Sequence, residues 1–373
     1  MLVRPIWAGL DKPNHLPHVS GTWLRPNRSL NGDPGTRRAR AATLAPYFMK
    51  RLVLVILIAL ALVAGIAALA IVFGGPSDPP PMPSIHNPFK NVDFSDLAAT
   101  RRFVARDGTK LAFRAYTVAD GIAKGSVVLV HGSSARSNSM HVLAKAFAAA
   151  GYTAYALDVR GHGESGTKGY IEYIGQLEDD LEDFLRSVKP AHPSTLAGFS
   201  SGGGFVLRFA CSARQKLFSS YLLLSPFISQ DAPTYRPNSG GWVNVGLPRT
   251  IAIALLNAIG VRAFNGLPVT KFAVDEESKA ILTPQYSYAL AQNFRPKRDY
   301  RSNIRAVGQP LRLVAGQDDE VFYTDRFAEV FKTEGKDIPV TLLRGIGHIS
   351  LTLEHAAVQA AVAAVRSMNE ARD

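Results

Sequence analysis

The sequence predicts an α/β protein: a mostly parallel sheet with helices on both faces and an inserted segment, preceded by one N-terminal transmembrane helix. Three observations lead to this fold class. From about residue 100 onward, short apolar runs with strand character alternate with helical patterns, which is typical of parallel sheets covered on both faces. The pattern Gly198-x-Ser200-x-Gly202 stands between one such strand and one such helix. An uncharged, strongly apolar run precedes this whole region.

The composition is that of a large globular protein, because 47% of the 373 residues are hydrophobic and 19% are charged. The formal net charge of +12 is concentrated at the front of the chain. Residues 1–51 contain nine Lys and Arg against two acidic residues. A basic excess confined to one end is not a binding stripe on the body, so we expect no nucleic-acid partner. The single cysteine, Cys211, excludes an internal disulfide.

The N-terminal region divides into three predicted segments. Residues 1–51 are basic and polar, and we expect them to be disordered. Residues 52–73 carry no charge, and at about 1.5 Å per residue a helix of this length reaches about 33 Å, enough to cross a bilayer. Residues 74–91 are rich in proline and predict a semi-rigid, extended linker. Basic residues precede the apolar run, so the positive-inside rule places the body outside the cytoplasmic (inner) membrane, on a single-pass anchor.

Two alternatives to this anchor remain open from the sequence. Ala68-Leu69-Ala70 fits a signal-peptidase pattern, and cleavage there predicts a secreted product that begins near Ile71. The apolar run is longer than a usual signal core, which favours the uncleaved anchor. Met49 directly precedes Lys50-Arg51, so translation starting at Met49 would leave out residues 1–48.

The body, residues 92–373, reads as strands alternating with helices. An Asp-Gly turn joins 101–106 to 110–117 and predicts an antiparallel hairpin at the sheet edge. An amphipathic helix is predicted between Ile174 and Val188, and its acidic residues 178–183 are expected to form a solvated face rather than a metal site. The remaining predicted strands are 126–131, 153–158, 194–199, 220–225, 311–316 and 338–343.

The Gly-x-Ser-x-Gly pattern is that of a nucleophile elbow, a sharp turn that exposes one serine between a strand and a helix. Small residues are needed two positions before and two after the serine, because a Cβ there would meet neighbouring backbone. The apolar run at 194–199 and the apolar helix from Gly203 to Cys211 supply the required order of strand, elbow and helix. The pattern therefore indicates Ser200 as a nucleophile.

From about residue 100 to 370 the chain resembles an α/β-hydrolase of the lysophospholipase, monoacylglycerol lipase and serine aminopeptidase-like group. The resemblance rests on motifs spread along the body. They are Leu129-Val130-His131-Gly132, Asp158-x-Arg160-Gly161-His162-Gly163-x-Ser165, Gly198-Phe199-Ser200-Ser201-Gly202, Gly316-x-x-Asp319-x-Val321 and Gly347-His348. The resemblance implies the α/β-hydrolase fold, a serine nucleophile and a catalytic triad.

In this fold the triad residues follow in the order Ser, Asp or Glu, His. His348 comes after the last predicted strand and before a helix, which places it on a loop at the catalytic edge. Three carboxylates follow the strand at 311–316, and the resemblance selects Asp319, with Asp318 as the rival. The oxyanion hole would use the backbone N–H of Ser201 and, by resemblance, that of Ser133.

The segment of about 228–303 interrupts the strand–helix rhythm, at a position where relatives carry a cap. Its apolar helix at 248–259 suggests a cover for acyl chains or other apolar substrates. The sequence contains no metal-ligand cluster, phosphate loop or cofactor motif, so we expect no cofactor.

We therefore expect a serine hydrolase (carboxylesterase) cleaving acyl esters, lipid-derived such as monoacylglycerol or lysophospholipid, through an acyl-enzyme on Ser200. One alternative is a serine aminopeptidase-like peptidase, which would need a cap carboxylate (Asp275, Glu276 or Glu277) for a free amine. Another is a catalytically silent binding protein, which the complete set of triad residues disfavours.

Overall fold

The computed structural model describes residues 34–119 and 121–371. The first 33 residues of the segment predicted to be disordered lie outside the described residues. Helix α1 spans Pro34–Phe73, so it begins before the predicted start at Leu52. The preceding residues are rich in Ala and Arg, which have high helix propensity. Within α1, Pro46–Phe73 is long and apolar enough to cross a membrane, with a mean hydropathy of 3.2 and no buried residues.

The chain divides into two units, residues 1–62 and 63–373. In the first unit the described residues, 34–62, are all helical. The second unit contains every strand of the described chain: β1 Thr100–Val104, β2 Lys110–Tyr116, β3 Ser126–Val130, β4 Thr153–Leu157, β5 Ser194–Phe199, β6 Ser220–Leu224, β7 Val243–Val245, β8 Pro268–Phe272, β9 Gln285–Ser287, β10 Leu311–Gly316 and β11 Val340–Leu343.

The second unit also contains short and medium-length helices. They are α2 Pro83–His86, α3 His141–Ala149, α4 Gln176–Val188, α5 Ser201–Ala210, α6 Leu247–Ala258, α7 Glu276–Lys279, α8 Tyr288–Asn293, α9 Tyr300–Ala306, α10 Phe327–Thr333 and α11 His355–Glu370.

The main sheet has eight strands in the order β1-β2-β4-β3-β5-β6-β10-β11. The predicted hairpin is confirmed: β1 and β2 are antiparallel at one edge, and β2 is also antiparallel to β4. The other six strands of this sheet, β4, β3, β5, β6, β10 and β11, run parallel to one another. Every residue of β3, β5 and β6 is buried, as expected for strands covered on both faces. The carboxyl ends of β5 and β10 lie on either side of β6, and this edge carries the functional site.

The expectation of a solvated acidic face on α4 is wrong. Glu178, Asp180 and Asp183 are buried. Asp180 accepts two hydrogen bonds from the Arg160 guanidinium, at 2.8 and 2.7 Å, and Glu178 pairs with Arg208 at 2.5 Å. Arginines on neighbouring elements supply the charge that a carboxylate needs when it leaves water, and they lie too far away in sequence for helical periodicity to reveal.

The insertion, residues 228–303, contains a small antiparallel sheet in the order β7-β8-β9 and the apolar helix α6. Helix α6 agrees with the predicted helix to within one residue at each end. Gln285–Ser287 forms the strand β9, and α8 begins directly after it at Tyr288.

The proline-rich segment 74–91 packs against the insertion instead of forming an open spacer. The Gly74 carbonyl accepts a hydrogen bond from the Arg249 N–H at 3.2 Å, and the Met82 N–H donates to the Ala273 carbonyl at 3.2 Å. Asp78 pairs with Lys271 at 3.0 Å. The segment ends in α2 and a 3₁₀ turn at Asn87–Asn91, and Ile85 within α2 joins the hydrophobic core.

Candidate active site

Ser200 occupies a strained turn between β5 and α5. Its backbone has φ 55° and ψ −120°, a combination that a residue with a side chain rarely adopts and that tertiary packing must hold in place. A Cβ at Gly198 would fall on the Gly202 carbonyl oxygen, and one at Gly202 on the His131 carbonyl oxygen. The glycines of the elbow are therefore required because the backbone approaches so closely.

The structure brings Ser200, His348 and Asp319 together. The His348 Nε2 lies 3.0 Å from the Ser200 Oγ, and the His348 Nδ1 lies 2.8 Å from the Asp319 Oδ2. Because a carboxylate only accepts hydrogen bonds, Nδ1 carries the proton, and Nε2 accepts from the Ser200 hydroxyl. All three residues are buried. The rival acid, Asp318, is exposed.

Backbone donors hold Asp319 in place. Its Oδ1 accepts the N–H groups of Val321 and Phe322, at 2.8 and 2.9 Å, which leaves Oδ2 for the imidazole. Burial opposes ionisation of this carboxyl, but the neighbouring His348 imidazole and its hydrogen bond outweigh it, so the pKa of Asp319 lies below its usual value. Asp319 is thus suited to remain an anion and to orient the imidazole.

Glu320 contributes in a way that the sequence did not suggest. Instead of pointing freely into solvent, its Oε2 accepts the backbone N–H of His348 at 3.0 Å. The same residue therefore connects the loop after β10 to the loop that carries the imidazole. Two adjacent acidic residues, Asp319 and Glu320, position the side chain and the backbone of His348 respectively.

The loop after β3 runs beside the nucleophile. A Cβ at Gly132 would come within 3.3 Å of the Ser200 Cβ, so the backbone of Gly132 and Ser133 lies against the reacting serine. Ser201 is the first residue of α5, and its N–H has no acceptor within the helix. The two residues expected to supply oxyanion donors, Ser133 and Ser201, thus both lie next to Ser200.

The insertion is hydrogen-bonded to this loop through Tyr286. The Tyr286 hydroxyl accepts the Ser134 N–H at 2.6 Å and lies 2.6 Å from the His162 Nε2. The His162 Nδ1 faces two backbone carbonyls, so it carries the proton, and Nε2 accepts from the tyrosine. Burial, and then the neighbouring His131, hold the pKa of His162 well below its ordinary value. The pair is structural and neutral.

Two cavities, which we call cavity 1 and cavity 2, meet at Ser200. Cavity 1 has a volume of about 330 Å³ and cavity 2 about 420 Å³. Both are lined by Ser200, Ser133 and Trp242, and the Trp242 indole N–H donates to the Ser133 Oγ at 2.8 Å. Trp242 therefore forms the partition between the cavities. No sequence pattern indicated it, because its role depends on where the insertion folds back.

The two cavities have different walls. Cavity 1 lies between the linker, the loop after β3 and the insertion; among its lining residues are Ile85, Phe89, Phe94, Ile281 and Leu282, with charges from Lys90, Arg136, Asp275 and Glu277. Cavity 2 lies between the body and the small sheet, and its apolar lining includes Phe227, Val243, Val245, Leu247, Val269, Phe272, Phe294 and Phe322.

Most of the apolar surface of α6 faces away from both cavities. Only Leu247 and Thr250 of this helix line cavity 2, and of its apolar residues Ala252 and Ile253 are buried. Ile251, Leu255 and Ile259 are exposed. The expectation that this apolar face covers the substrate is wrong for those three residues, because their helical positions point to the opposite side.

Among residues 34–119 and 121–371, no group of three or more His, Cys, Asp and Glu side chains could hold a metal ion. The chemistry available at the described site is that of the serine, the imidazole, the carboxylate and backbone amides. An elbow serine in an α/β-hydrolase fold, hydrogen-bonded to an imidazole that is itself held by a buried carboxylate, defines the class of serine hydrolases.

Within that class, the chain belongs to the Hydrolase_4 family, described as serine aminopeptidase, S33, which matches residues 121–354. It is similar to a monoacylglycerol lipase of Mycolicibacterium smegmatis, with 30% identity over 191 residues, half of this chain and 61% of the relative. A monoglyceride lipase of Saccharomyces cerevisiae is 25% identical over 58% of this chain and 74% of its own length. The chain thus spans about three fifths of the first relative's length.

A solved structure of a soluble variant of the Saccharomyces cerevisiae monoglyceride lipase, in complex with a substrate analogue, has the same fold. It is 18% identical in sequence, superposes with a TM-score of 0.54, and is covered over 98% of its length by 75% of this chain. At this identity the likeness supports the fold alone.

Proposed function

We propose that this chain is a membrane-anchored serine hydrolase that cleaves acyl esters, in particular lipid-derived esters such as monoacylglycerol or lysophospholipid. Ser200 would be the nucleophile, His348 the general base and then acid, and Asp319 the group that orients the imidazole. The observation that carries this proposal is the hydrogen-bonded series from Ser200 to His348 to Asp319, placed where two largely apolar cavities meet.

The reaction follows from the geometry. The Ser200 Oγ would attack the ester carbonyl carbon while the His348 Nε2 takes the hydroxyl proton. The imidazolium would then return that proton to the alcohol oxygen as the carbon–oxygen bond breaks, leaving the acyl group on Ser200. Water, deprotonated by the same nitrogen, would attack the acyl-enzyme and release the fatty acid. Asp319 would stabilise the imidazolium in both halves.

We propose the backbone N–H groups of Ser133 and Ser201 as the donors for the oxyanion. Both lie beside Ser200, and α5 directs its N-terminus at the reacting centre, where partial positive charge favours a developing anion. Losing one such donor typically raises the barrier by about 3 kcal/mol. Their position supports acyl transfer in general and does not distinguish one ester from another.

The lipid substrate class is supported by the cavity walls and by the relatives. Both cavities fall in the size range of small-molecule sites, roughly 300–1,000 Å³, and apolar side chains form much of their walls. Cavity 2, with one charged residue (Arg295) in its lining, suits an acyl chain; cavity 1, with four charged residues in its lining, suits a polar alcohol. Two curated relatives are a monoacylglycerol lipase and a monoglyceride lipase.

The peptidase alternative rests on cap carboxylates that are mostly engaged. Asp275 caps α7 by accepting the Ser278 N–H at 2.7 Å, and Glu276 pairs with Lys279 at 2.5 Å. Of the three candidates, Asp275 and Glu277 line cavity 1, and Glu277 is exposed to solvent. This weakens the case for an amine-binding site beside the nucleophile.

The decisive experiment is a substrate panel with the purified full chain: p-nitrophenyl esters of graded chain length, monoacylglycerol, lysophosphatidylcholine and aminoacyl-anilides. We expect ester turnover that rises with chain length, and labelling of Ser200 by a fluorophosphonate probe. Turnover of aminoacyl-anilides above esters would favour the peptidase. The absence of both turnover and labelling would favour a silent binding protein.

We also propose that Pro46–Phe73 is an uncleaved anchor in the cytoplasmic membrane, with the catalytic body outside the cytoplasm. Basic residues on the N-terminal side of the apolar run support this topology. Fractionation combined with N-terminal sequencing tests it. A membrane-bound chain that retains α1 is expected, whereas a soluble chain beginning near Ile71 would support a cleaved signal peptide. Peptides from residues 1–48 would exclude a start at Met49.

A further inference from the structure

The exposed side of helix α6 is an apolar row that begins beside the end of α1. Leu247, Ile251 and Leu255 recur every fourth residue and so lie along one face of the helix, and Ile259, its C-terminal cap residue, follows at the same spacing. Each is between 51% and 75% exposed. Four large aliphatic side chains in a continuous row are unusual on a water-facing surface and mark an interaction site.

Arg249 connects the same helix to α1. Its guanidinium donates to the carbonyl oxygens of Ile71 at 2.7 Å and Val72 at 3.0 Å. These carbonyls belong to the last turn of α1, where no intrahelical donor remains, and a cation there also complements the helix dipole. The Arg249 N–H donates to the Gly74 carbonyl. These three hydrogen bonds from Arg249 fix the start of α6 at the point where α1 ends.

The charge around the row also indicates its partner. From Ala232 to Val274 the insertion contains no acidic residue, and its four charged residues are all basic: Arg236, Arg249, Arg262 and Lys271. An aliphatic row in a stretch of sequence without acidic residues, followed by the exposed Arg262, matches a lipid surface, in which apolar side chains enter the acyl region and cations meet phosphate groups.

From these observations we infer that α6 lies on the surface of the bilayer that α1 spans, with the row of Leu247, Ile251, Leu255 and Ile259 in contact with lipid. This inference rests on the anchor in the proposed function. Arg249 would hold the row at the membrane exit, and the linker would add no distance because it packs on the insertion.

The arrangement gives cavity 2 a lipid-side entrance. Leu247 belongs both to the exposed row and to the wall of cavity 2, and Val245 and Thr250 beside it line the same cavity. An acyl chain leaving the bilayer at the start of α6 would reach the cavity without crossing water. The substrate class that fits this entrance is a single-chain lipid ester resident in the membrane.

The test uses the full chain, with Cys211 replaced by alanine, in nanodiscs that hold one copy each. A fluorophore is attached at Leu255→Cys or, as a matched control, at the exposed Ile122→Cys in the body. Lipids with a nitroxide on the acyl chain should quench the label at position 255 and leave the label at position 122 unchanged. Quenching at neither position, in particles that contain the chain, would overturn the inference.

The other outcomes are also distinct. If the wild-type chain does not float with vesicles, the anchor itself fails and the proposed function must change in that respect. If the label at 255 is shielded only when two copies share a particle, the row is an interface between copies, which also overturns lipid contact. Quenching that increases when phosphatidylglycerol is added to phosphatidylcholine would support the role of the basic residues.

An activity measurement completes the test. The triple variant Ile251→Ser, Leu255→Ser, Ile259→Ser should lose about tenfold in kcat/KM on monoacylglycerol embedded in vesicles, because apolar contact with the bilayer is removed. The kcat/KM of the same variant on a water-soluble short-chain ester should be unchanged. The control variant Val104→Ser, Ile122→Ser removes exposed aliphatic side chains elsewhere and should lose neither activity. An equal loss on both substrates would mean that the row only stabilises the fold.

Discussion

The body and the insertion differ in how far their side chains are buried and their backbone is constrained. In the body, Ser200, Asp319 and His348 are buried and held by close backbone contacts, and Ser200 is kept in a backbone conformation that it would not adopt alone. In the insertion, α6 exposes a row of aliphatic side chains. Under the proposed function, bonds are made and broken where the backbone is most constrained, and substrate enters where apolar surface is exposed.

The division makes a clear prediction about variants. Changes to the triad should reduce turnover of every substrate by the same factor, because the same bonds are made and broken in each. Changes to the insertion should alter the ranking of substrates and leave the reactivity of Ser200 intact. A triad variant that discriminates between substrates, or an insertion variant that does not, would break the comparison.

The largest effect is expected for Ser200→Ala. Without the hydroxyl no acyl-enzyme forms, so turnover should fall by about 10⁶-fold, to a level that oxyanion donors and binding alone support. Fluorophosphonate labelling should disappear, while thermal stability changes little. Labelling that persists at another serine, Ser201 first of all, would show that the nucleophile has been misassigned.

Asp319→Asn should come next, with kcat lower by about 10⁴-fold on long and short esters alike, because the imidazole loses the acceptor that fixes its tautomer. The matched control is Asp318→Asn, which changes an exposed carboxylate one residue away and should cost little. Comparing the kcat values of the two variants tests the assignment. The reverse ranking would place the acid at position 318.

A smaller and selective effect is expected for Trp242→Ala. Removing the partition joins cavity 1 to cavity 2, so the ratio of kcat/KM between long-chain and short-chain esters should change by about tenfold, the scale typical of apolar pocket contacts. Trp242→Phe keeps much of the bulk and loses only the hydrogen bond to Ser133, so it should preserve most of the ratio. An unchanged ratio in both variants would show that the partition does not select chain length.

The smallest expected effect is on the free energy of unfolding. It concerns the contact between the body and the insertion, where the His162 Nε2 meets the Tyr286 hydroxyl. Burial lowers the pKa of both His131 and His162. A group with a depressed folded-state pKa binds more protons when unfolded, so stability should fall as pH decreases below about 6.5. Each histidine contributes at most about 1.4 kcal/mol per pH unit.

Melting temperatures measured between about pH 8 and about pH 5 check this expectation. His162→Asn should flatten the acid side of the profile, and His355→Gln, which changes an exposed histidine, should leave its shape unchanged. A wild-type profile that is flat through the acid range would mean that these imidazoles are not the groups that lose stability.

Much of the body could be predicted because its signals are local. Buried parallel strands appear as apolar runs, and the turn at Gly198–Gly202 carries its own glycines. The choice between Asp318 and Asp319 could not be made from local sequence signals. It depends on a turn in which one carboxylate oxygen accepts the N–H groups two and three residues later, and a shift by one residue leaves the composition unchanged.

The insertion was harder to predict for physical reasons. Strands β7 and β9 have three residues each, too few for alternation to be recognised. The direction of the apolar face of α6 depends on what packs beside it, so the helix could be predicted but the side that it buries could not. The linker looked like a spacer because its contacts are with Asn244, Arg249 and Lys271, which lie far away in sequence.

The loop that carries Ser133 has one further consequence. Ser133 accepts from Trp242, Ser134 exchanges two hydrogen bonds with Thr283, and Ser134 also donates to Tyr286. All three partners belong to the insertion, so displacing the insertion removes the supports of a loop beside the nucleophile. The position of the insertion over Ser200 and the conformation of the loop that carries Ser133 are then coupled. By thermodynamic reciprocity, any ligand that favours the closed position of the insertion also favours the assembled loop. We therefore expect low turnover from a chain whose insertion is displaced from Ser200.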